Sequence, residues 1–463
     1  MNTTTRCKPL ACLALCLGAT AVLADDPCPI QRLTSDTIYS ASDFGRVMKI
    51  DSGRLIISEI GATTACPGGG DPFGCKGGAI HSYTLVDGMW SNRQFIFPPD
   101  IGFNQGFGNF DVEGDRLVST RGNRDLDPRL GSLFVYEFDD ASAQWVLVAE
   151  EPAPDWPTRP TTGFGVDIAL RGDSVMIGRG EHVLLYQEFA EGWQHVQTIT
   201  APDTTDFVQF GYRLALTDDW AIIAALDDRT RGYEHGALYV YRRDAQGMLE
   251  FHEKVLPPYD PGAFGPSLSL DGTTLAVYGG GPDPAASVFV YELTAAGLEL
   301  RQDVTVRGGE PGLGFGFAIS VRGDTMVCGS GSTSQPDRVG YVFRRRADGL
   351  WRQVGLLDTR PATPTFPSRY TAWSTATDGR YAVLSATDEF VNFGIYGAAY
   401  SFDLDCAICE ADLDFDGRLT LFDFLAFGNA FDTADPIADL DGDGAFTLFD
   451  FLAFQDAFDA GCG

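Results

Sequence analysis

The sequence predicts an all-β seven-bladed β-propeller followed by a small α-helical unit built on two acidic loops. Three observations carry that prediction. Phe-Gly recurs about every fifty residues through most of the chain, and four short strand-like segments accompany each recurrence. Near the C-terminus one seventeen-residue phrase is written twice, ADLDFDGRLTLFDFLAF at 411–427 and ADLDGDGAFTLFDFLAF at 438–454.

Residues 1–24 combine a short basic start, an apolar run of about 14 residues and small residues at Val22 and Ala24, the pattern of a cleavable secretory signal. That run is too short to span a bilayer, and no later stretch reaches the roughly 18 apolar residues of a membrane helix. A secreted, extracellular or cell-surface protein is the expectation. The cysteines after the signal are Cys28, Cys66, Cys75, Cys328, Cys406, Cys409 and Cys462, and in an oxidising compartment most should pair. A net charge of −31 argues against nucleic acid, which needs clustered Lys and Arg, and points to cations instead.

The Phe-Gly pairs fall at Phe44-Gly45, Phe107-Gly108, Phe164-Gly165, Phe210-Gly211, Phe264-Gly265 and Phe315-Gly316, with a degenerate seventh copy near Phe366 to Tyr370. Residues 164–196 show one unit: FGVDIAL, the turn RGD, SVMIG, then HVLLYQEF and WQHVQTI. These are four strands with β-branched and aromatic alternation, parted by Gly and Asp turns. Seven such units form a radial array with few open sheet edges, over residues 28–405. The ring should pack between blades, and Gly should let backbones approach.

The seventh unit lacks a fourth strand before Cys406. RLTSDTIYS, residues 32–40, is a spare strand ahead of the first Phe-Gly and is expected to close the ring from outside. Running antiparallel, it would bring Cys28 beside Cys406, where a disulfide would clasp the ring. Cys66 and Cys75 bracket GGGDPFG and are expected to staple that loop, whereas Cys328 lies in an apolar strand and should be buried and unpaired.

This repeat resembles the FG-GAP repeats of integrin-α-like propellers. Those repeats often hold an Asp-rich calcium loop between their first two strands. Here the same place holds EGD, RGD, TDD, LDG, RGD and TDG, tight turns with too few oxygens for calcium. Arg171-Gly172-Asp173 and Arg322-Gly323-Asp324 occupy that phase of the repeat, so both are expected to be plain turns rather than adhesion motifs.

From Glu410 to Gly463 there are thirteen Asp or Glu, one Arg and no Lys, which sets this segment apart. Numbered from Asp412, the first phrase has carboxylates at positions 1, 3, 5 and 12, namely Asp412, Asp414, Asp416 and Asp423, with Gly417 at position 6. The second has Asp439, Asp441, Asp443 and Asp450, with Gly444. That is the oxygen spacing of a twelve-residue calcium loop, here 412–423 and 439–450, in which position 7 lends a carbonyl. Arg418 and Ala445 would supply those carbonyls, and Thr420 and Thr447 could hold a bridging water. Two calcium ions are therefore expected, coupled to folding because the carboxylates otherwise repel.

Each loop opens directly into a helix-like run with no helix before it. In helical spacing Leu421, Phe424, Leu425, Phe427 and Phe431 share one face, expected to be buried, while Phe422 falls off it, as Phe449 does in the second copy. This doubled loop-helix unit resembles a dockerin domain of the planctomycete type that ends in Gly-Cys, here Gly461-Cys462, over residues 406–463. The resemblance implies a calcium-dependent plug that binds a cohesin-like scaffold protein through Leu421, Phe422, Leu448 and Phe449. A Cys409–Cys462 bond would tie its ends. Only Ala407 and Ile408 separate Cys406 from Cys409, so the unit should sit against the propeller.

The five histidines show no metal-ligand spacing, and there is no GxSxG elbow or nucleotide loop. The favoured expectation is a non-catalytic protein whose propeller binds a glycan or protein while the terminal unit anchors it. The alternatives are a glycoside hydrolase or lyase with paired carboxylates in the channel, and a calcium sensor.

Overall fold

The computed structural model describes residues 28–35, 43–64, 75–99, 107–122, 131–154, 163–203, 209–230, 235–259, 263–280, 286–306, 314–330, 339–359, 371–387, 389–391, 394–395, 397–415 and 418–461. The signal, Cys66, Cys462, Asp416 and the degenerate copy at 366–370 lie outside them. Seven four-stranded antiparallel sheets follow one another along the chain. Their inner strands are Phe44–Asp51, Asn109–Glu113, Ile168–Arg171, Phe210–Leu216, Phe264–Asp271, Ala318–Arg322 and Thr371–Thr377, in blades one to seven. The seven-bladed expectation is met.

The ring closes as the sequence predicts, and residues 36–40 of the expected strand lie outside the described residues. Gln31–Thr34 is the outer strand of blade seven and runs antiparallel to Ala398–Asp403, with Gln31 opposite Ser401 and Thr34 opposite Ala398. Cys28 and Cys406 form a disulfide across 378 residues. Arg32 Nε donates to Glu389 Oε1 at 2.9 Å, and the other oxygen of that fully buried carboxylate accepts from the Tyr400 hydroxyl. Blade four repeats the arrangement: buried Asp228 Oδ2 accepts from Tyr239 (2.6 Å) and pairs with Lys254 (2.8 Å).

Apolar packing lies between blades rather than within them. Seven buried clusters occupy the seven junctions; one joins Met176, Val183 and Leu185 of blade three to Phe210, Ile223 and Tyr239 of blade four. The Phe of each Phe-Gly pair sits in such a junction, from 0% exposed at Phe44, Phe107, Phe210 and Phe264 to 6% at Phe164. Its Gly is left-handed, and at Gly165 (φ +83°) a Cβ would lie 2.0 Å from Thr120 Oγ1, so no larger residue fits. In blade seven Ala372 takes the corresponding left-handed place (φ 56°).

A second, unforeseen stitch joins the outer strands. Gln31 bonds the main chain of Trp90 in both directions, Nε2 donating to O and Oε1 accepting from N, each at 2.8 Å. Gln94 clasps Trp145, Gln197 clasps Leu249 and Gln302 clasps Trp351 in the same way. Each clamp satisfies a main-chain donor and acceptor that no fifth strand is present to meet.

Beyond blade seven come α1 (Leu404–Ala407), α2 (Leu421–Asp432), a 3₁₀ turn at Pro436–Ala438 and α3 (Leu448–Ala460). Helix α1 straddles the boundary expected at 405/406, and Leu404 belongs to the junction core of blades six and seven. The helical unit rests on blade six, as its short connection requires. Arg352 Nη2 lies 2.7 Å from Asp439 Oδ2, Arg346 Nη2 lies 3.2 Å from Glu410, and a Cβ on Gly355 would strike Ile408 at 2.6 Å. Cys328 is buried and free; Cys409 is disulfide-bonded, while its expected partner lies outside the described residues. Among the described residues no helix is long and apolar enough to cross a membrane.

Replacing Cys28 and Cys406 together by Ser should lower unfolding stability by about 2–5 kcal/mol, read from the urea midpoint. Gln31→Ala should lose less, about 1–3 kcal/mol, because it leaves the Trp90 main-chain groups unmet.

Candidate functional site

Two regions gather chemistry: the central channel and the terminal loops. All seven inner strands line a cavity of about 1390 Å³. Its turn end is fastened by ion pairs. Arg171 spans Glu113 (2.7 Å) and Asp218 (2.8 Å), and Arg322 spans Asp51 (2.9 Å) and Asp271 (3.6 Å). The same carboxylates accept from turn amides of the next blade: Gly114 N to Asp51 (2.7 Å), Gly172 N to Glu113 (2.6 Å) and Gly323 N to Asp271 (2.7 Å). Both RGD tripeptides thus lie in turns whose arginines already pair with carboxylates of other blades. The plain-turn reading agrees with this geometry.

Deeper in, the charge is uneven around the ring. Lys49 Nζ of blade one lies 3.3 Å from Asp111 Oδ1 of blade two, and Asp111 Oδ2 accepts from Leu170 N at 2.9 Å. Asp167 Oδ2 of blade three accepts from Leu214 N at 2.8 Å, in the field of Arg213 and Lys49. Burial pushes the Asp167 carboxyl up to about 6, outweighing Arg213, the Leu214 amide and Lys49. Lys49 is held above its usual range by Asp111, with burial opposing and Asp167 and Asp51 adding. Sequence reasoning missed this cluster because nothing local shows which acids face one another across blades.

The terminal loops bring most of their predicted acids together. Carboxylate oxygens of Asp412, Asp414 and Asp423 lie within 4.8 Å of one another, as do those of Asp439, Asp441 and Asp443. Asp439 is 1% exposed, and its Oδ1 is buried with no hydrogen-bond partner. Asp450 is buried near this second group: its Oδ2 accepts from Thr447 N at 2.8 Å and its Oδ1 from Asp441 N at 3.4 Å. Asp423 does the corresponding work, accepting from Leu413 N (3.0 Å) and Thr420 N (2.8 Å).

Thr420 and Thr447, at position 9 of the loops, cap the helices. Their hydroxyls accept from Phe422 N (3.0 Å) and Phe449 N (3.1 Å), and with Asp423 and Asp450 they complete capping boxes. The pattern Thr-x-x-Asp is the sequence signature of such a cap. Arg418 and Ala445, at position 7 of the loops, are both exposed.

The expected buried face of α2 needs correction. Phe427 is buried at 3%, but Phe424 is 46%, Leu425 51% and Leu421 69% exposed. Two short helices that share one small core each bury a narrow row, here Asp423, Phe427 and Ala430 against Asp450 and Phe454. Phe427 and Phe454 stack with centroids 4.5 Å apart. Phe422 and Phe449 do face water, at 68% and 67%, and Leu448 is 68% exposed.

With this geometry in hand, the chain is a seven-bladed β-propeller carrying an FG-GAP repeat: the model of that repeat family matches residues 193–241. The match runs from the outer strand of blade three to the third strand of blade four and includes Phe210-Gly211. No curated protein matches the chain. Among solved structures it is similar to a protein from Lactobacillus plantarum (13% identity, 70% of this chain and 87% of that one, TM-score 0.47). It is also similar to a chain of a mitotic checkpoint complex (11%, 87% and 99%, TM-score 0.46) and to a protein of unknown function from Desulfotomaculum acetoxidans (14%, 69% and 90%, TM-score 0.40).

Because the folded carboxyl of Asp167 titrates above an unfolded aspartate near 3.9, the folded state binds the extra proton between those values. Its contribution to stability is present at low pH and is lost as pH rises from about 4 to 6. Asp167→Asn should flatten that part of the stability–pH curve by about 1–2 kcal/mol, measured by urea unfolding across the window. An unchanged slope would refute the assignment.

Proposed function

We propose that this is an exported, non-catalytic binding protein. Its propeller carries the ligand surface, and residues 406–463 form a dockerin-type module that fastens it to a cohesin-type domain on a scaffold or cell surface. The carrying observation is the duplicated, exposed Leu-Phe step: Leu421-Phe422 and Leu448-Phe449, in the first turns of α2 and α3. Phe424, Leu425 and Leu452 widen the apolar surface around them. A unit whose core is already filled by Phe427 and Phe454 has no internal use for these side chains, and aromatic groups held in water suit a contact surface.

Two calcium ions belong to the reading, one per loop. The orphaned Asp439 Oδ1 supports a fit, because a buried carboxylate oxygen without a donor, beside Asp441 and Asp443, has the chemistry of a hard-cation site. The residues that would hold the ions are Asp412, Asp414, Asp416, Asp423 and the Arg418 carbonyl in one loop. In the other they are Asp439, Asp441, Asp443, Asp450 and the Ala445 carbonyl. A bound divalent cation supplies charge neutralisation; the bond from the Asp443 amide lowers the Asp441 carboxyl, but partial desolvation and the charges of Asp450, Asp443 and Asp439 together leave it raised. With Kd about 10 μM and calcium about 1 mM, binding adds roughly 2.7 kcal/mol.

A polysaccharide-degrading enzyme is the second reading, favoured by one observation: Asp167, with its raised carboxyl, lines the same cavity as Asp111. Hydrolysis or eliminative cleavage of a polysaccharide that disappears in Asp167→Asn would move the assignment to it.

Capture of a recombinant cohesin domain by the full chain should occur in calcium and vanish in EDTA. Phe422→Asp and Phe449→Asp should each cost only about 3-fold in affinity if either face serves, and together about 100-fold or more. Retention by the double variant would sink the reading.

Arg352 holds the position-1 carboxylate of the second loop. Arg352→Gln should therefore tighten calcium there by about 3–10-fold, as followed by chelator competition. Equal affinity before and after substitution would show that the guanidinium does not compete.

A further inference from the structure

A ring of repeated blades offers an internal control, because a group with a purely structural task should have a counterpart in other blades. The bond from an inner strand to the next blade's main chain can be compared in this way. In blade five Ser269 Oγ accepts from Val321 N (3.0 Å), and in blade six Ser320 Oγ accepts from Thr377 N (3.1 Å). In blade two the same place, two residues before the turn strand ends, is Asp111, accepting from Leu170 N. A serine completes this stitch without charge. The second carboxylate oxygen of Asp111 and its partner Lys49 therefore exceed what the junction requires. Asp167 and Arg213 add another acid and base beside them, so blades one to four present a charged arc to the cavity. Counterparts in blades five to seven are Ser267, Ser269, Ala318, Ser320, Ser374 and Ala376, all uncharged.

The opposite arc carries aromatic surface. The residue after the left-handed Gly or Ala of the inner strand is Phe317 in blade six and Trp373 in blade seven. Both are half-buried and line the cavity, with ring centroids 4.4 Å apart. Neither ring lies in the junction clusters that hold the blades together.

We propose that this cavity is a binding site for a neutral oligosaccharide, its pyranose C–H face laid on Phe317 and Trp373 and its hydroxyls meeting Asp111, Asp167 and Lys49. The claim rests on the reading of the propeller as a ligand-binding surface and names the ligand class. Aromatic faces take the apolar side of a sugar ring, and a carboxylate accepts from adjacent hydroxyls. The acids and bases are mutually balanced, which favours a neutral ligand over a charged one. At about 1390 Å³ the space exceeds the roughly 300–1,000 Å³ of ordinary small-molecule pockets, which suits several sugar units.

The test is calorimetric titration of the full chain with cellohexaose, xylohexaose and mannohexaose, with oligogalacturonate as the charged control. Saturable binding of a neutral probe is expected, weakened about tenfold or more in Trp373→Ala and in Asp111→Ser, the latter keeping the stitch that Ser269 makes. Unfolding midpoints of both variants verify that the fold persists. Saccharide binding should survive the Phe422→Asp/Phe449→Asp double variant, and cohesin capture should survive Trp373→Ala, so either claim can fail without the other. No binding by any neutral probe, binding untouched by both channel substitutions, or binding of oligogalacturonate alone would overturn the proposal.

Discussion

Everything in this molecule depends on how one blade holds the next without a shared hydrogen-bond ladder. Neighbouring sheets meet face to face, so the apolar clusters supply attraction but leave edge amides and carbonyls to be satisfied by side chains. The chain answers with a few side-chain-to-main-chain bonds at two radii: Gln clamps on the outer strands, Asp and Ser on the inner ones. An open ring would expose two such faces at once. Closure therefore concentrates on one short segment, where Cys28, Gln31 and Arg32 reach Cys406, Trp90 and Glu389. Covalent bond, amide clamp and buried ion pair all act within five consecutive residues.

Much of this was legible in the sequence, and the rest was not for identifiable reasons. Phe-Gly recurrence announces itself because an unusual backbone conformation and a large ring must coincide in each unit. The borrowed strand and the Cys28–Cys406 bond follow from counting strands in the last blade. The Gln clamp had a local signature too, since Trp90 precedes Gln94, and Trp193 precedes Gln197, by four residues. It went unread because alternation along an outer strand predicts exposure, and exposure hides a specific bond. The channel cluster had no such signature: Lys49, Asp111 and Asp167 are about sixty residues apart in sequence and meet only when the ring forms. On the helices, periodicity located a stripe but not its width, which is set by the size of the facing core.

The two ends of the channel differ in what they ask of the chain. At the turn end, short Gly-Asp turns place carboxylates against amides of the next blade, and arginines span the gaps. Those groups are mutually satisfied, so an Arg-Gly-Asp spelling there has a complete structural explanation. Toward the Phe-Gly end the side chains change from blade to blade, although the backbone repeats. Because serine and aspartate can make the same stitch, the fold leaves the charge of that position free to vary.

Near-identity of the two terminal phrases makes their three differences informative. Phe415, Arg418 and Leu419 in the first become Gly442, Ala445 and Phe446 in the second. Gly442 is left-handed, and a Cβ there would stand 3.2 Å from Arg346 Cβ on blade six, so a phenylalanine like that of the first copy would collide with the propeller. The replacement lets the second loop approach until Arg352 reaches Asp439, while Phe415 lines the same narrow cleft from the first loop. Leu421-Phe422 and Leu448-Phe449 point to water in both copies, unaffected by which loop lies on the propeller. Symmetry is thus broken on the inward side, where the module must dock, and kept on the outward side, where two equivalent apolar faces remain exposed.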